Sequence, residues 1–298
     1  MDNPYRPVRT SVELSGSAAR SRRCEPPPDL APYVMDFWQY EVQPEFDYIP
    51  VQVFPSGCVV LRFNLRPDHV ESVLYGPSLN NDMRGLFYHD WAIFGVALHP
   101  HTAYHLLGLS VHELRDLRIL LECFWPARVS RLAEQLWATR TFGARVGLIS
   151  GFLREVLRTD VSPHADFLNV FRDIVAQAPH AEDIGRIMRR HGACSRTVRR
   201  RFAKYLGLGP KQVDRLVRVQ NVMRALCGQP GLCLADVAQA HGFSDQAHLS
   251  REFRVLTDYS PARFSDLNGS MHLSSNPKWE GMDTRWRHER SPRVIRFE

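Results

Sequence analysis

The spacing of apolar and polar residues divides the chain into regions of different predicted structure. Between residues 33 and 98, short apolar segments alternate with turn residues such as Pro-Ser-Gly and Gly-Pro-Ser. Short apolar runs bounded by turn residues predict β-strands, here YVMDFWQYEV, YIPVQVF, CVVLRFNL, SVLYG and WAIFGVALH. From about residue 100 the apolar residues recur at helical spacing, first in AYHLLG, VHELRDLRILLECFW and RLAEQLW.

One predicted helix, VGLISGFLREVLR, has a wide apolar face. Its apolar residues recur as adjacent pairs every four positions, namely Leu148, Ile149, Phe152, Leu153, Val156 and Leu157. A face of this width is typical of a buried helix surface. We expect it to pack against its own domain or against a second subunit.

Residues 164–267 are helical by pattern and contain an internal repeat. Each copy is a short helix, a turn with a glycine and a second helix, which is the helix-turn-helix arrangement. The corresponding positions are Ile187, Gly192, Val198, Phe202 and Gly209-Pro210 in the first copy, and Val237, Gly242, Leu249, Phe253 and Ser260-Pro261 in the second. The segment between the copies, 210–228, is ~28 Å long if helical. One turn of B-DNA is ~34 Å, so a helix of that length can place both copies in successive major grooves.

These patterns predict an α+β chain with four parts. Residues 1–28 are rich in Arg, Ser and Pro and are expected to be a flexible arm. A β-rich domain with appended helices follows over 29–161, and Ser-Pro-His at 162–164 marks the boundary. An all-α domain of two helix-turn-helix units joined by a long helix occupies 162–267, and polar residues 268–298 are expected to be a flexible tail.

Composition narrows the class of protein. No apolar run reaches the ~18 residues of a membrane span, and the arginines near the N-terminus are not followed by the apolar stretch of a secretory signal. The six cysteines form no CxxC pair, which favours a reducing compartment over a disulfide framework. We therefore expect a cytoplasmic protein with no membrane partner.

The positive charge is concentrated in one segment. Residues 182–218 hold eleven Lys or Arg and only three Asp or Glu, whereas the whole chain is +6, so the remainder is slightly acidic. A local basic surface of this kind is typical of a site for a polyanion. A solvated basic face with no ligand is the simpler interpretation of an isolated charge run.

Within that segment, SRTVRRRFAKYL at 195–206 predicts a helix with two faces. One face is apolar, and the opposite face carries Arg196, Arg199, Arg200 and the small Ala203. Arginine can bind guanine O6 and N7 through two hydrogen bonds and also pairs with phosphate. Because the second helix of such a unit enters the major groove, we predict that this face contacts bases, with Arg201 and Lys204 on backbone phosphates.

The second copy predicts a weaker contact. Its second helix, Asp245–Thr257, is expected to bury Leu249, Phe253 and Leu256. Gln246 in the first turn can bind adenine through two hydrogen bonds, and serine and arginine suit bases or phosphate; the remaining outward residues are Ala247, Ser250, Arg251 and Arg254. Since residues 230–267 hold three Arg against five Asp or Glu, the first copy should supply most of the electrostatic affinity.

The C-terminal segments resemble the DNA-binding domain of AraC/XylS-family transcription regulators. HGFSDQAHLSREFRVLTDYSPARF resembles the second helix-turn-helix of that family, and SRTVRRRFAKYLGLGPKQVDRLVRVQNVMRAL resembles its first recognition helix and connecting helix. The resemblance implies binding to double-stranded promoter DNA, control of transcription as an activator or repressor, and RNA polymerase as a candidate partner. It places base contacts on Arg196, Thr197, Arg199, Arg200, Gln246, Ala247, Ser250 and Arg251. Met188 and Asp258 depart from the family, which favours a small residue at the first position and often glycine at the second.

The N-terminal region resembles an uncharacterised sensory domain that precedes some AraC-type regulators, through LAPYVMDFWQYEV, VFPSGCVVLRFNL and FGVALHPHTAYHLLGLSVHELRDL. That resemblance implies a barrel-like domain. We expect it to bind an unknown small-molecule effector or to mediate a homodimer.

A metal site is the competing interpretation. His99, His101 and His105 lie close in sequence, and the last two are four residues apart, a spacing that allows two ligands on one helix face. A cupin-like metal-binding enzyme or sensor would use them. No acidic or cysteine ligand lies beside them apart from Glu113, so we expect no cofactor and no enzymatic activity.

Overall fold

The N-terminal half is built from antiparallel strands. The computed structural model describes residues 11–12, 19–79, 83–157, 165–177, 183–192, 194–229, 231–270 and 294–295. Its strands are β1 (Ser11–Val12), β2 (Ala19–Cys24), β3 (Val34–Val42), β4 (Tyr48–Val53), β5 (Val60–Leu65), β6 (Val70–Tyr75), β7 (Met83–Tyr88), β8 (Ala92–Leu98), β9 (Arg118–Leu120) and β10 (Val294–Ile295). One sheet has the order β1-β4-β7 and the other has the order β10-β9-β6-β5-β8-β3-β2. Neighbours are antiparallel except β10 and β9.

The larger sheet and two helices enclose the first core. The central strand β8 is buried along almost its whole length, as expected where both faces are covered. Phe37, Phe63 and Phe94 from neighbouring strands are fully buried in this core. Helices α2 (Pro126–Ala138) and α3 (Phe142–Val156) add apolar side chains to it. The wide apolar face predicted for α3 is used here, since Ile149, Phe152, Leu153 and Val156 are buried in the core of their own domain.

The structure corrects three sequence-based predictions of this region. Ala19–Cys24, assigned to a flexible arm, forms strand β2 against β3, and Arg23 pairs with Asp36 at 3.1 Å. The charged, exposed residues of β2 are typical of an edge strand. Because the strand has no apolar pattern, it could not be predicted from the spacing of apolar residues. VHELRDLRILLECFW is not one helix: it contains 3₁₀ helices at Val111–Leu114 and Leu121–Cys123 with β9 between them. In the predicted flexible tail, β10 pairs with β9.

The C-terminal half is helical, as predicted. Its helices are α4 (Ala165–Gln177), α5 (Ile184–Arg190), α6 (Ser195–Leu206), α7 (Pro210–Gly228), α8 (Leu234–Ala240), α9 (Gln246–Thr257) and α10 (Pro261–Ser270). A short helix α1 (Thr102–Leu107) belongs to the N-terminal half. Helix α7 begins with Pro210 at its first position, where a missing N–H costs nothing. Among the residues that the structure describes, no helix combines the length and the hydropathy that a membrane span requires.

The two halves share packed surfaces. Phe54 from the loop after β4 is buried in the core of the helical half and meets Phe264 edge-on at 5.7 Å between ring centroids. Gln220 on α7 donates a buried hydrogen bond to the carbonyl of Pro55 at 2.9 Å. The predicted boundary at 162–164 lies outside the described residues.

Candidate nucleic-acid interface

Helix α6, which we call the first recognition helix, coincides with the predicted segment 195–206. Val198, Phe202 and Tyr205 are at most 2% exposed and lie in the helical core. They recur on one side of the helix because 100° per residue brings positions i, i+4 and i+7 together. The predicted inward face is confirmed, and it fixes which side chains point outward.

The outward face of α6 presents arginines. Arg196, Arg199 and Arg200 are exposed, and none of them forms a salt bridge with a residue of the described ranges. Thr197 and Ala203 are half-buried. Three guanidinium groups on one face without an internal carboxylate partner leave their hydrogen-bond donors for an external anion.

One flank of α6 faces the N-terminal half. The ammonium group of Lys204 lies 4.1 Å from the ring centroid of Tyr104 on α1, and a hydrogen bond with Tyr104 raises the pKa of Lys204. Arg201 is half-buried, with Nη1 screened from solvent. Tyr104 could not be predicted from the sequence, because its contact with Lys204 joins positions far apart in the chain. Lys204 therefore lies against the N-terminal half, beside the arginine face.

The turns of the two helix-turn-helix units correspond in backbone geometry. Gly192 has φ of 59° and Gly242 has φ of 73°, and both lie in the left-handed region that glycine enters at little cost. Met188 and Ala238, at equivalent places, are both buried. Asp258, which stands where the family often has glycine, also has a positive φ of 64°. The internal repeat read from the sequence is thus a repeat of structure.

Helix α9, the second recognition helix, begins where the sequence predicted. The Asp245 carboxylate caps it by accepting a hydrogen bond from the His248 backbone N–H at 2.6 Å, a typical N-cap. That bond, with a second from the Ser244 hydroxyl, lowers the pKa of Asp245. Leu249, Phe253 and Leu256 are buried, as predicted. Of the predicted contact residues, Gln246, Ala247, Arg251 and Arg254 are exposed and Ser250 is half-buried.

Helix α7 fixes the second unit to the first. Arg218 donates from Nη1 to the Gly242 carbonyl in the second turn at 2.9 Å and from Nη2 to Asp214 at 2.5 Å. Arg215 pairs with Glu252 on α9. These two arginines were counted in the basic segment, but they hold the helices together. The positive charge left for a ligand is therefore concentrated on α6.

The histidines of the alternative metal site occupy the junction of the two halves. His99 and His101 stack with ring centroids 6.0 Å apart, and His105 is 1% exposed and stacks on Tyr205 at 6.5 Å. Burial is the main cause that lowers the pKa of His99, and it lowers the pKa of His101 to about 4. In the part of the chain described, no three His, Cys, Asp or Glu side chains are arranged to hold a metal ion.

Comparison with known proteins supports the assignment of the helical half. Residues 187–266 match a helix-turn-helix domain family, and residues 22–120 match a domain of unknown function, DUF6597. A search of curated proteins finds no match. Neither family description names an enzyme.

Three solved structures that match the chain are distant from it in sequence. Ligand-free ToxT from Vibrio cholerae is 11% identical over 85% of this chain and 98% of its own, with a TM-score of 0.42. ToxT from the same organism with a bound unsaturated fatty acid is 10% identical over 84% of this chain and 94% of its own, with a TM-score of 0.40. An AraC-type transcriptional regulator from Chromobacterium violaceum is 19% identical over 38% of this chain and 100% of its own, with a TM-score of 0.31.

The family match and the repeated helix-turn-helix geometry agree with the resemblance drawn from the sequence. The chain therefore carries a helix-turn-helix domain over 187–266, which supports a DNA-binding transcription regulator, behind a domain of the DUF6597 family over 22–120.

Proposed function

We propose that the chain binds promoter DNA sequence-specifically, with α6 and α9 in two adjacent major grooves. The observation that carries the proposal is the exposed face of Arg196, Arg199 and Arg200, opposite a fully buried face of the same helix. A helix in the major groove reads bases through side chains of this kind. The 19 residues of α7 span ~28 Å, close to the ~34 Å of one duplex turn.

In this proposal the contacts divide by role. Arg196, Thr197, Arg199 and Arg200 read bases from the first recognition helix, while Arg201 and Lys204 hold phosphates. From the second recognition helix, the contacts are Gln246, Ala247, Ser250, Arg251 and Arg254. Since α9 carries Glu252 and is capped by Asp245, its contribution to salt-dependent affinity is smaller than that of α6.

Control of DNA binding is proposed to come from the N-terminal half, by a small effector. Tyr104 of that half touches both Lys204 and the buried Tyr205 of α6. A ligand that shifts α1 would therefore change the position of the first recognition helix. Dimerisation through the same half stays a prediction, because the apolar face of α3 that suggested it is covered within its own domain.

The test begins with selection of preferred sites by the full chain from a pool of random duplexes. Binding to a selected and an unrelated duplex is then measured by fluorescence anisotropy. If Arg199 reads a base, Arg199→Ala weakens the selected site by about 1–3 kcal/mol and leaves the unrelated duplex nearly unchanged. If Lys204 holds a phosphate, Lys204→Ala weakens both duplexes similarly and reduces the salt slope by about one.

Arg128→Ala serves as the matched control, because Arg128 is an exposed arginine on α2 of the N-terminal half. It should leave both affinities and the salt slope unchanged. Equal losses on both duplexes for Arg199→Ala would show that Arg199 is only a phosphate contact. Absence of binding to every duplex at low salt would contradict the proposal.

A further inference from the structure

The N-terminal half contains a cleft that is lined by no residue of the two recognition helices. Its volume is about 430 Å³, within the range of small-molecule sites. It opens where β3 and β5 end, β8 begins, and the chain leaves α2. Because β8 is antiparallel to both β3 and β5, the ends of β3 and β5 and the start of β8 lie side by side at one end of these strands.

Four arginines line this cleft: Arg20, Arg66, Arg140 and Arg145. The carboxylates that line it are Glu41 and Asp90. Neither Arg20 nor Arg140 forms an ion pair with another residue in the described part of the chain. The cleft therefore has an excess of positive charge.

Arg145 forms the buried base of the positive group. It is 7% exposed and donates from Nη1 to Gln39 at 2.9 Å and from Nε to the Thr139 carbonyl at 3.1 Å. Its carboxylate neighbour Glu41 is 3.9 Å away, beyond hydrogen-bond distance. A buried charge whose counterion forms no hydrogen bond with it is poorly compensated, so an anion in the cleft would stabilise Arg145.

The pKa of Arg145 agrees with this geometry. Burial lowers the pKa of the guanidinium, Glu41 offsets part of the shift, and the nearby positive charges of Arg140 and Arg22 lower it further. Arg22 lies on β2, Arg140 in the loop between α2 and α3, and Arg145 on α3. An anionic ligand would relieve that repulsion.

Two indole rings line the cleft. Trp137 at the end of α2 is 55% exposed, and its Nε1 donates to the Pro67 carbonyl at 3.3 Å, which fixes the ring. Trp91 lies under the Arg66 guanidinium at 4.6 Å. Such rings stack with aromatic groups.

We propose that this cleft binds a small aromatic carboxylate, with Arg140 and Arg145 on the carboxylate and Trp137 against the ring. Arginine forks bind carboxylates through two parallel hydrogen bonds. The binding itself is independent of DNA, and only its role as the effector rests on the proposed function.

The test uses the full chain and isothermal titration calorimetry with 1-naphthoate. 1-Naphthamide, which has the same ring without the charge, is the matched ligand. We expect the carboxylate to bind at least tenfold more tightly than the amide, and Arg140→Gln and Trp137→Ala each to weaken it at least tenfold. Arg131→Gln is the control, because Arg131 is exposed on α2 and does not line the cleft.

Arg140 and Trp137 are exposed, so the variants at these positions should fold. Arg145→Gln replaces a buried residue, and circular dichroism checks whether that variant folds. Equal affinity for carboxylate and amide, no heat up to millimolar 1-naphthoate, or full affinity in Arg140→Gln would each overturn the site. Measuring duplex affinity of the same preparations separates the two proposals. Binding to duplex without binding to 1-naphthoate would contradict only the proposed cleft site. Binding to 1-naphthoate without binding to duplex would contradict only the DNA-binding proposal.

Discussion

At the scale of single residues, two histidines at the junction of the halves are held in their neutral form. Backbone hydrogen bonds with Ala31 and Pro32 act to raise the pKa of His99 and of His101, respectively. Burial outweighs these bonds, and the neighbouring His99 and His105 lower the pKa of His101 further, to about 4. In an unfolded chain the same group titrates near ~6.5.

This difference predicts that acid destabilises the chain through His101. Because the folded-state pKa lies below the unfolded value, the unfolded chain binds more protons between pH ~6.5 and about 4. The contribution is fully present above pH ~6.5 and is lost as the pH falls towards 4, by about 1–3 kcal/mol after allowance for solvent at the half-buried ring. Urea unfolding at several pH values measures the loss.

The variant His101→Gln should remove much of that pH dependence. His112→Gln, at an exposed histidine of the nearby 3₁₀ helix, should keep it. Identical pH slopes for the wild type and His101→Gln would contradict the assignment.

At the scale of elements, the first recognition helix is positioned through its C-terminal end. Gly207 caps α6 with φ of 70°. A Cβ atom there would lie 2.8 Å from both Pro77 Cγ and the Val111 carbonyl oxygen. Glycine is therefore required at position 207 for two reasons, namely the positive φ angle and the close approach of α6 to the N-terminal half.

Comparing two alanine substitutions separates these requirements. Gly192→Ala has the same backbone cost, about 1–2 kcal/mol, but its Cβ meets no atom of the described residues within 4 Å. Gly207→Ala should be more destabilising by a further ~1–3 kcal/mol, since Pro77 and the Val111 backbone must move. Chemical denaturation gives both values. Equal losses would mean that α6 does not touch the N-terminal half as described.

The elements also show what the sequence could predict. The bounds of α6 and α7 follow from local features, namely helical spacing, Pro210 at a helix start and a left-handed cap at Gly207. Strand β9 could not be found this way, because its apolar residues suit a helix or a strand and only pairing with β6 decides between them. The contact of Lys204 with Tyr104 and the cleft around Arg145 leave no local pattern at all.

At the scale of the molecule, the two halves form a continuous structure. Phe54 belongs by sequence to the β-rich half, yet its ring is packed among residues of the helical core. The Gln220 side-chain amide donates a hydrogen bond to the carbonyl of Pro55, the residue that follows Phe54. These packed side chains connect the N-terminal half to α7, which is the contact that effector control would require.

This shared core predicts energetic coupling between Phe54 and Phe264. Truncating either buried ring to alanine should cost about 3–5 kcal/mol, and the double variant should show a coupling of about 0.5–1.5 kcal/mol from the edge-on pair. Phe63 is the matched control, because it is equally buried but lies in the other core. Phe63→Ala and Phe264→Ala should be additive within ~0.5 kcal/mol. If Phe54 and Phe264 proved equally additive in urea unfolding, the halves would be independent, and a signal from the N-terminal half would need a path other than this contact.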